Sequence, residues 1–202
     1  MIGIINYGVG NLASVKNSLD FLGVANKIIK QSAALRKCDK IILPGVGAFG
    51  PAIEKLNQSG FSAAIKKYAV NNKPILGICL GMQLLMETSS EQGKHRGLGL
   101  IAGTVEALGE KVKNLSLPHI GWNEVAFQPN HPLFTAITLP ASFYFVHSYY
   151  CRPTDQSAVA GWTNYSIRFA SVLGQNNIWG CQFHPEKSQA KGLKILENFA
   201  LL

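Results

Sequence analysis

The sequence predicts an α/β protein with a central, mostly parallel sheet flanked by helices and an antiparallel β extension in the second half. Over residues 1–90, short apolar runs alternate with segments whose apolar residues recur every three or four positions, as in strands alternating with amphipathic helices. From residue 104 the pattern becomes short β runs broken by Gly, Pro and Asn. No repeat or linker interrupts it, so residues 1–202 are predicted to form a single domain.

Four apolar runs in the first half predict the parallel strands, at residues 2–5, 25–30, 39–43 and 74–78. A helix is predicted from apolar residues spaced by three, four and three positions, namely Leu12, Val15, Leu19 and Leu22. Asn11 is placed to cap this helix and Gly23 to end it. Pro51 predicts the first position of a short helix, and a further helix is predicted around residues 61–68.

The second half contributes the predicted extension and a closing helix. Its clearest apolar runs lie at residues 141–150 and 177–183, and both are expected to be strands. A helical pattern over residues 188–201 ends the chain.

Composition excludes several function classes. Hydrophobic residues make up 47% and charged residues 15%, as in an ordered globular protein. The net charge of +8 comes from scattered bases without a basic arm, so no nucleic-acid partner is expected. No apolar stretch approaches the roughly 20 residues that span a bilayer, which predicts a cytoplasmic protein without membrane contact. Four distant cysteines form no C-x-x-C pair, so neither a disulfide framework nor a zinc knuckle is suggested. No metal and no cofactor is expected.

Two glycine-rich loops could be read as dinucleotide-binding fingerprints, at residues 8–13 and 45–50. A dinucleotide site also needs an acidic residue at the end of the next strand, to bind the ribose hydroxyl. After the first loop that strand ends in Lys30 and Gln31, and after the second loop Glu54 is too close. The oxidoreductase interpretation is therefore weak.

Cys79 stands where an apolar strand passes directly into a helical pattern, with Gly77 two residues before it and Gly81 two residues after it. A G-x-nucleophile-x-G turn is so tight that it exposes the central side chain above the sheet. The following helix N-terminus favours the thiolate. A buried core cysteine is the alternative, but the two glycines favour a nucleophile.

A nucleophilic cysteine needs a base, and His184 is the best candidate of the five histidines. It ends a strand and precedes Pro185 and Glu186, so the carboxylate can orient the imidazole. His95 and His131 lie in polar loops and are expected at the surface. By residue type, Cys79, His184 and Glu186 complete a catalytic triad.

This combination of motifs resembles the triad-type (class I) glutamine amidotransferases, and matching blocks extend over nearly the whole chain, at residues 7–12, 44–49, 76–85, 118–123, 144–149 and 182–188. The resemblance implies hydrolysis of glutamine to glutamate and ammonia by Cys79, His184 and Glu186. It implies oxyanion donors at Leu80 and in the loop of Val46 and Gly47. Substrate-binding positions are implied at Gly45, Gln83, Glu91, His147, Ser148 and Tyr149.

The resemblance also implies a partner. The matching blocks are most similar to glutaminases that pass ammonia to a (β/α)8-barrel synthase, a cyclase subunit that closes an imidazole ring in histidine biosynthesis. Such a heterodimer implies docking at Trp122, Asn123, Tyr144 and Lys187. The alternative is a paralogous glutaminase that serves a barrel partner in surface-polysaccharide sugar synthesis.

Two other function classes remain as weaker alternatives. A noncatalytic binding domain could retain the fold, but the complete triad argues against it. A cysteine peptidase would need an open groove, and Gln83 and Glu91 in their substrate-holding positions argue against that.

Overall fold

The computed structural model describes residues 1–113, 115–128 and 130–202. Twelve strands form one mixed sheet, and two more pair as a separate antiparallel ribbon. The helices are α1 Leu12–Phe21, α2 Phe49–Gln58, α3 Phe61–Val70, α4 Leu80–Leu84 and α5 Gln189–Leu201. The strands are β1 Ile2–Ile5, β2 Asn26–Ile29, β3 Lys40–Gly45, β4 Ile75–Cys79, β5 Met86–Ser89, β6 His95–Arg96, β7 Ile101–Ala107, β8 His119–Glu124, β9 Ala126–Phe127, β10 Ser142–His147, β11 Tyr149–Pro153, β12 Val159–Tyr165, β13 Ile167–Gln175 and β14 Ile178–Cys181.

The parallel half of the sheet has the order β2-β1-β3-β4-β14, and every neighbouring pair in it is parallel. Every residue of β1 and β4 is buried, as expected for strands with both faces covered. Successive residues alternate between the two hydrophobic cores, with Ile4 in one and Ile5 in the other. Helices α2 and α3 cover one face, while α1 and α5 cover the other.

The antiparallel extension continues the sheet as β13-β11-β7, and β5 then pairs parallel with β7. This confirms the predicted fold class, although the parallel β5–β7 pair was not predicted. The predicted strand at residues 141–150 is two strands. It divides at Ser148, because β10 pairs with β8 in the ribbon whereas β11 joins the main sheet.

Two local predictions about helix starts are wrong. Asn11 precedes α1 but makes no side-chain cap, because its φ of −86° and ψ of 68° lie outside the extended region that capping residues adopt. Helix α2 begins at Phe49, so Pro51 is its third residue. A proline is tolerated there because the first N–H groups of a helix have no partner within it.

The topology brings the carboxyl ends of β3, β4 and β14 to the same edge of the sheet. Gly45 pairs with Cys79 at the ends of β3 and β4, and Cys181 of β14 pairs with Ile78. In open α/β sheets this edge is where ligands bind.

No helix within the described ranges is both long and apolar enough to cross a membrane.

Candidate active site

Cys79 is the last residue of β4, and helix α4 begins at the next residue. Its φ of 53° and ψ of −112° are strained for a residue with a side chain. The neighbouring backbones lie very close: a Cβ on Gly81 would fall 1.8 Å from the carbonyl oxygen of Leu43, and one on Gly77 would fall 2.7 Å from the Gly81 carbonyl. The two glycines therefore allow the turn that presents Cys79.

His184 and Glu186 form a buried hydrogen bond of 2.8 Å between Nδ1 and Oε1. The link is short because a single 3₁₀ turn, Pro185–Lys187, follows His184 and brings the carboxylate back to the ring. An ionised carboxylate only accepts, so Nδ1 carries a proton. Within the part of the chain that the structure describes, the buried Nε2 has no hydrogen-bond partner. The ring is thus oriented with Nε2 left for another group.

The surroundings of His184 favour its charged form. Burial by itself lowers the pKa of His184, but the Cys79 sulfur and the Glu186 carboxylate beside the ring outweigh this and raise the pKa to about 10. These neighbours therefore favour the imidazolium form of His184 at the wall beside Cys79.

A cavity of about 580 Å³ contains both Cys79 and His184 in its wall. Its lining comes from the segments after β3, β5 and β14, from the β4–α4 turn and α4, from the residue before β8 and from the β10–β11 passage. The lining residues are Val46, Gly47, Cys79, Leu80, Gln83, Glu91, Gln92, Pro118, Val146, His147, Ser148, Tyr149 and His184. The volume suits a small-molecule substrate.

Five of the six residues expected to bind substrate line this cavity, and they are Gln83, Glu91, His147, Ser148 and Tyr149. Gly45 does not line it. A Cβ on Gly45 would lie 2.9 Å from the Gly81 nitrogen and from the Tyr7 hydroxyl, so its place is in the packing between β3 and α4.

Two polar side chains of the cavity wall, Glu91 and Gln83, are already engaged in hydrogen bonds. Glu91 accepts a hydrogen bond of 2.8 Å from the backbone N–H of Phe49, which satisfies the first residue of α2. Gln83 donates to the Tyr149 carbonyl at 3.0 Å and to Gln182 at 3.1 Å. Such bonds fix the wall before any ligand arrives.

The residues expected to form the oxyanion hole lie beside the nucleophile. Val46 and Gly47 follow β3 directly, and Leu80 is the first residue of α4, so all three border the cavity at Cys79. Gly47 has a φ of 93°, a conformation that favours glycine. Their role as donors remains a prediction.

The residues expected to dock a partner lie on and beside the β8–β10 ribbon. Trp122 is half exposed and pairs across the ribbon with Tyr144, their ring centroids 6.3 Å apart. The Lys187 ammonium lies 5.7 Å from the centre of the Tyr144 ring. Asn123 differs, because its side chain is directed inward and contacts His119 at 3.2 Å. Docking itself remains a prediction.

Two buried side chains near the site were not predicted. Gln182 donates from Nε2 toward the Cys79 sulfur at 3.8 Å, and His119 contacts His147 at 2.9 Å. Gln182 stands only two residues before His184, but β14 ends at Cys181 and the chain bends at Gln182, so strand alternation does not indicate its contact with Cys79. The surface prediction for His131 is wrong: both ring nitrogens are buried, and the ring packs against Trp179 at 5.1 Å.

The other three cysteines are buried free thiols, and they are Cys38, Cys151 and Cys181. Burial raises the pKa of each of these thiols. Buried structural thiols of this kind are inert. Cys79 differs from them because it lines a cavity.

Comparison with known proteins identifies the family. A family model described as "Glutamine amidotransferase class-I" matches residues 4–202. The chain belongs to the class-I glutamine amidotransferases. Among curated class-I relatives, it is 49% identical to imidazole glycerol phosphate synthase subunit HisH of Sulfurimonas denitrificans, over 98% of this chain and 97% of that protein. It is 44% identical to HisH of Chlorobium luteolum, over 99% of each.

Solved structures agree on the fold of this glutamine amidotransferase. The structure of PurLQS from Thermotoga maritima superposes with a TM-score of 0.77 at 16% sequence identity, covering 98% of this chain and 96% of that one. At that identity the likeness concerns the arrangement of strands and helices alone.

Proposed function

We propose that this class-I glutamine amidotransferase is the glutaminase subunit of imidazole glycerol phosphate synthase, and that it hydrolyses glutamine to glutamate and ammonia with Cys79, His184 and Glu186. The observation that carries the proposal is the shared cavity: Cys79 on its strained turn and His184, held by Glu186 at 2.8 Å, line the same wall. The assignment to this synthase is supported by the HisH relatives at 44–49% identity.

The raised pKa of His184 suggests how the chemistry begins. An imidazolium beside Cys79 stabilises the thiolate, which attacks the side-chain amide carbon of glutamine. The carbon–nitrogen bond breaks as His184 gives its Nε2 proton to the leaving nitrogen, which departs as ammonia. A thioester between Cys79 and the glutamyl group remains.

Water completes the cycle. Neutral His184 takes a proton from water as the oxygen attacks the thioester, the sulfur–carbon bond breaks and glutamate leaves. The imidazolium–thiolate pair is then restored. Throughout, Glu186 holds Nδ1–H and keeps Nε2 turned to the reacting atoms.

The negative charge that develops on the carbonyl oxygen of the substrate must be stabilised by hydrogen-bond donors in both steps. The Leu80 N–H, at the start of α4, and the peptide groups of Val46 and Gly47 are the proposed oxyanion donors. Gln83, Glu91, His147, Ser148 and Tyr149 line the rest of the cavity and would hold the amino acid end of glutamine. Gly45 supports this site from the packing behind it.

The proposed partner is a (β/α)8-barrel cyclase subunit that receives the ammonia. Trp122, Tyr144 and Lys187 offer it an aromatic and cationic surface on the ribbon, and Asn123 adjoins that surface from the inner side. Neither the described residues nor the HisH relatives named above favour the paralogous polysaccharide pathway.

Glutamate release tests the proposal directly. We would measure it for the purified chain alone, and with the barrel subunit of imidazole glycerol phosphate synthase carrying its nucleotide ligand. Strong stimulation by the liganded partner is expected, because a coupled glutaminase must avoid idle hydrolysis. Absence of stimulation, with the chain folded and Cys79 still alkylated, would contradict the partner and leave the glutaminase chemistry in place.

Replacement of the orienting carboxylate should leave part of the activity. In Glu186→Ala the nucleophile and base remain but Nδ1 loses its acceptor, so we expect kcat to fall by about 10²–10⁴-fold. The pKa of His184 should also fall, because a negative charge beside the ring is lost. Kinetics in the assembled complex and a histidine NMR titration measure the two effects.

The matched control is Glu87→Ala, which removes an exposed carboxylate outside the cavity. It should leave kcat and the His184 titration unchanged. Wild-type rates in Glu186→Ala would remove the orienting role from Glu186 without affecting the roles of Cys79 and His184.

A further inference from the structure

The carbonyl oxygen of Tyr149 accepts hydrogen bonds from two buried side chains. His147 Nδ1 lies 2.8 Å from it, and Gln83 Nε2 lies 3.0 Å from it. A carbonyl oxygen can only accept, so His147 must carry its proton on Nδ1 and Gln83 must present its NH₂ group. This one oxygen therefore fixes the orientation of two side chains that border the cavity.

One arm of hydrogen bonds runs from Tyr149 to the ribbon. Burial lowers the pKa of His147 to about 3 and that of His119 to about 4, so each neutral ring has one N–H. Since Nδ1 of His147 donates, its Nε2 accepts from His119 Nδ1 at 2.9 Å. His119 Nε2 in turn accepts from the Asn123 amide at 3.2 Å.

The other arm runs from Tyr149 to the proposed nucleophile. The second N–H of Gln83 donates to Oε1 of Gln182 at 3.1 Å. Gln182 therefore turns its own NH₂ group toward Cys79, with Nε2 3.8 Å from the sulfur. An amide N–H directed at sulfur stabilises negative charge on it.

The arm toward the ribbon has little freedom to rearrange locally. His119 is stacked between Phe145 and Tyr165, with ring centroids 4.8 Å and 3.9 Å away, which holds its plane. Asn123 uses its remaining groups as well, donating to the Asn164 carbonyl at 3.0 Å and accepting from the Glu124 N–H at 2.8 Å. A change at one end must therefore be passed on as a lost or altered bond.

We propose that this line of side chains is a positioning network that links strand β8 to the sulfur of Cys79, with Asn123, His119 and His147 in one arm and Gln83 and Gln182 in the other. The proposal rests on the proposed function, which places a nucleophile at one end and a partner at the other. Trp122 stands beside Asn123 in β8, so a partner that presses on Trp122 also moves Asn123 and His119. The network then alters the donor that faces the cysteine.

Imidazole ¹⁵N NMR of the histidine-labelled chain tests whether the network exists. In the wild type, both His119 and His147 should carry the proton on Nδ1. Asn123→Asp replaces the amide donor with a carboxylate that only accepts, so His119 should gain a proton on Nε2 and keep the one on Nδ1. Asn164→Asp is the matched control, because it adds the same charge next to the network on an exposed side chain.

The NMR result decides the network independently of any partner. An Nε2–H form of His119 in the wild type would overturn the proposal. The same would follow if Asn123→Asp left His119 as it is in Asn164→Asp.

Kinetics in the assembled complex test whether the network acts on Cys79. His119→Asn keeps an amide donor near the Nδ1 position but removes the acceptor for Asn123. We expect this variant and Asn123→Asp to lower the partner-stimulated kcat by about 10-fold, with KM for glutamine within about twofold, while Asn164→Asp stays at the wild-type value. Because His119 is buried, its effect cannot come from lost contact with a partner.

The outcomes distinguish a failure of the network from a failure of the proposed function. The link to Cys79 would be overturned if His119→Asn and Asn123→Asp were both stimulated as strongly as Asn164→Asp while the protonation of His119 changed in Asn123→Asp. A wild-type chain that the barrel subunit does not stimulate would instead contradict the proposed function, and the NMR readout on the chain alone would still decide the network.

Discussion

Cys79→Ala should reduce glutamate release to the uncatalysed background, a loss of about 10⁴-fold or more in kcat. Among the described residues that line the cavity, Cys79 is the one with a thiol, and His184 lines the same cavity. Alanine keeps the Cβ that the strained turn already accommodates, so the fold and partner binding should persist. Steady-state kinetics in the assembled complex measure the loss.

Cys38→Ala is the matched control for this change. Cys38 is a buried free thiol outside the cavity, so removing its sulfur tests the cost of a cysteine-to-alanine change without touching the chemistry. It should retain wild-type kcat at temperatures where it stays folded. Residual activity of more than a few per cent in Cys79→Ala would end the covalent mechanism, because no thioester could then form.

Gly81→Ala should destabilise the protein by about 3–5 kcal/mol. The added Cβ would lie 1.8 Å from the Leu43 carbonyl oxygen and 2.8 Å from its carbon, both of which belong to the backbone of β3. Relief requires α4 to move off the sheet, which opens the core around the turn. Against a typical total of about 5–15 kcal/mol, such a loss leaves little margin. Urea unfolding followed by circular dichroism gives the change.

Gly23→Ala separates steric overlap from backbone conformation. Gly23 has a φ of 68° and no atom within 4 Å of an added Cβ, so its substitution tests the left-handed conformation alone. We expect a cost of about 1–2 kcal/mol there. If Gly81→Ala cost no more than Gly23→Ala, close approach would not be the reason for the glycine in the turn.

The strands of the parallel half and the turn at Cys79 could be predicted because their signals are local. A short apolar run between turn residues identifies β4, and flanking glycines identify the tight turn after it. His184 and Glu186 are likewise two residues apart, so their contact follows from one short segment. The residue types of the site could therefore be predicted from local sequence, without knowledge of their three-dimensional arrangement.

Features that depend on distant pairing could not be predicted in this way. Helix α2 begins where Glu91, from a loop far along the chain, accepts the N–H of Phe49, and no local cap indicates that start. The contact between His119 and His147 exists because β8 and β10 pair in a particular register. Nothing in either segment alone indicates which inward side chain meets which.

The division of the chain at Ser148 has a mechanical consequence. His147 ends a strand of the small ribbon and Tyr149 begins a strand of the main sheet, although they are two residues apart in one cavity wall. Cys79 ends β4 and His184 comes shortly after β14, both strands of the main sheet, and the His184 N–H also donates to the carbonyl of Tyr144 in the ribbon at 2.9 Å. The two residues that flank Ser148 therefore belong to different sheets, and a displacement of the ribbon would act on the substrate wall through His147 and on the backbone of His184 through the Tyr144 carbonyl at the same time.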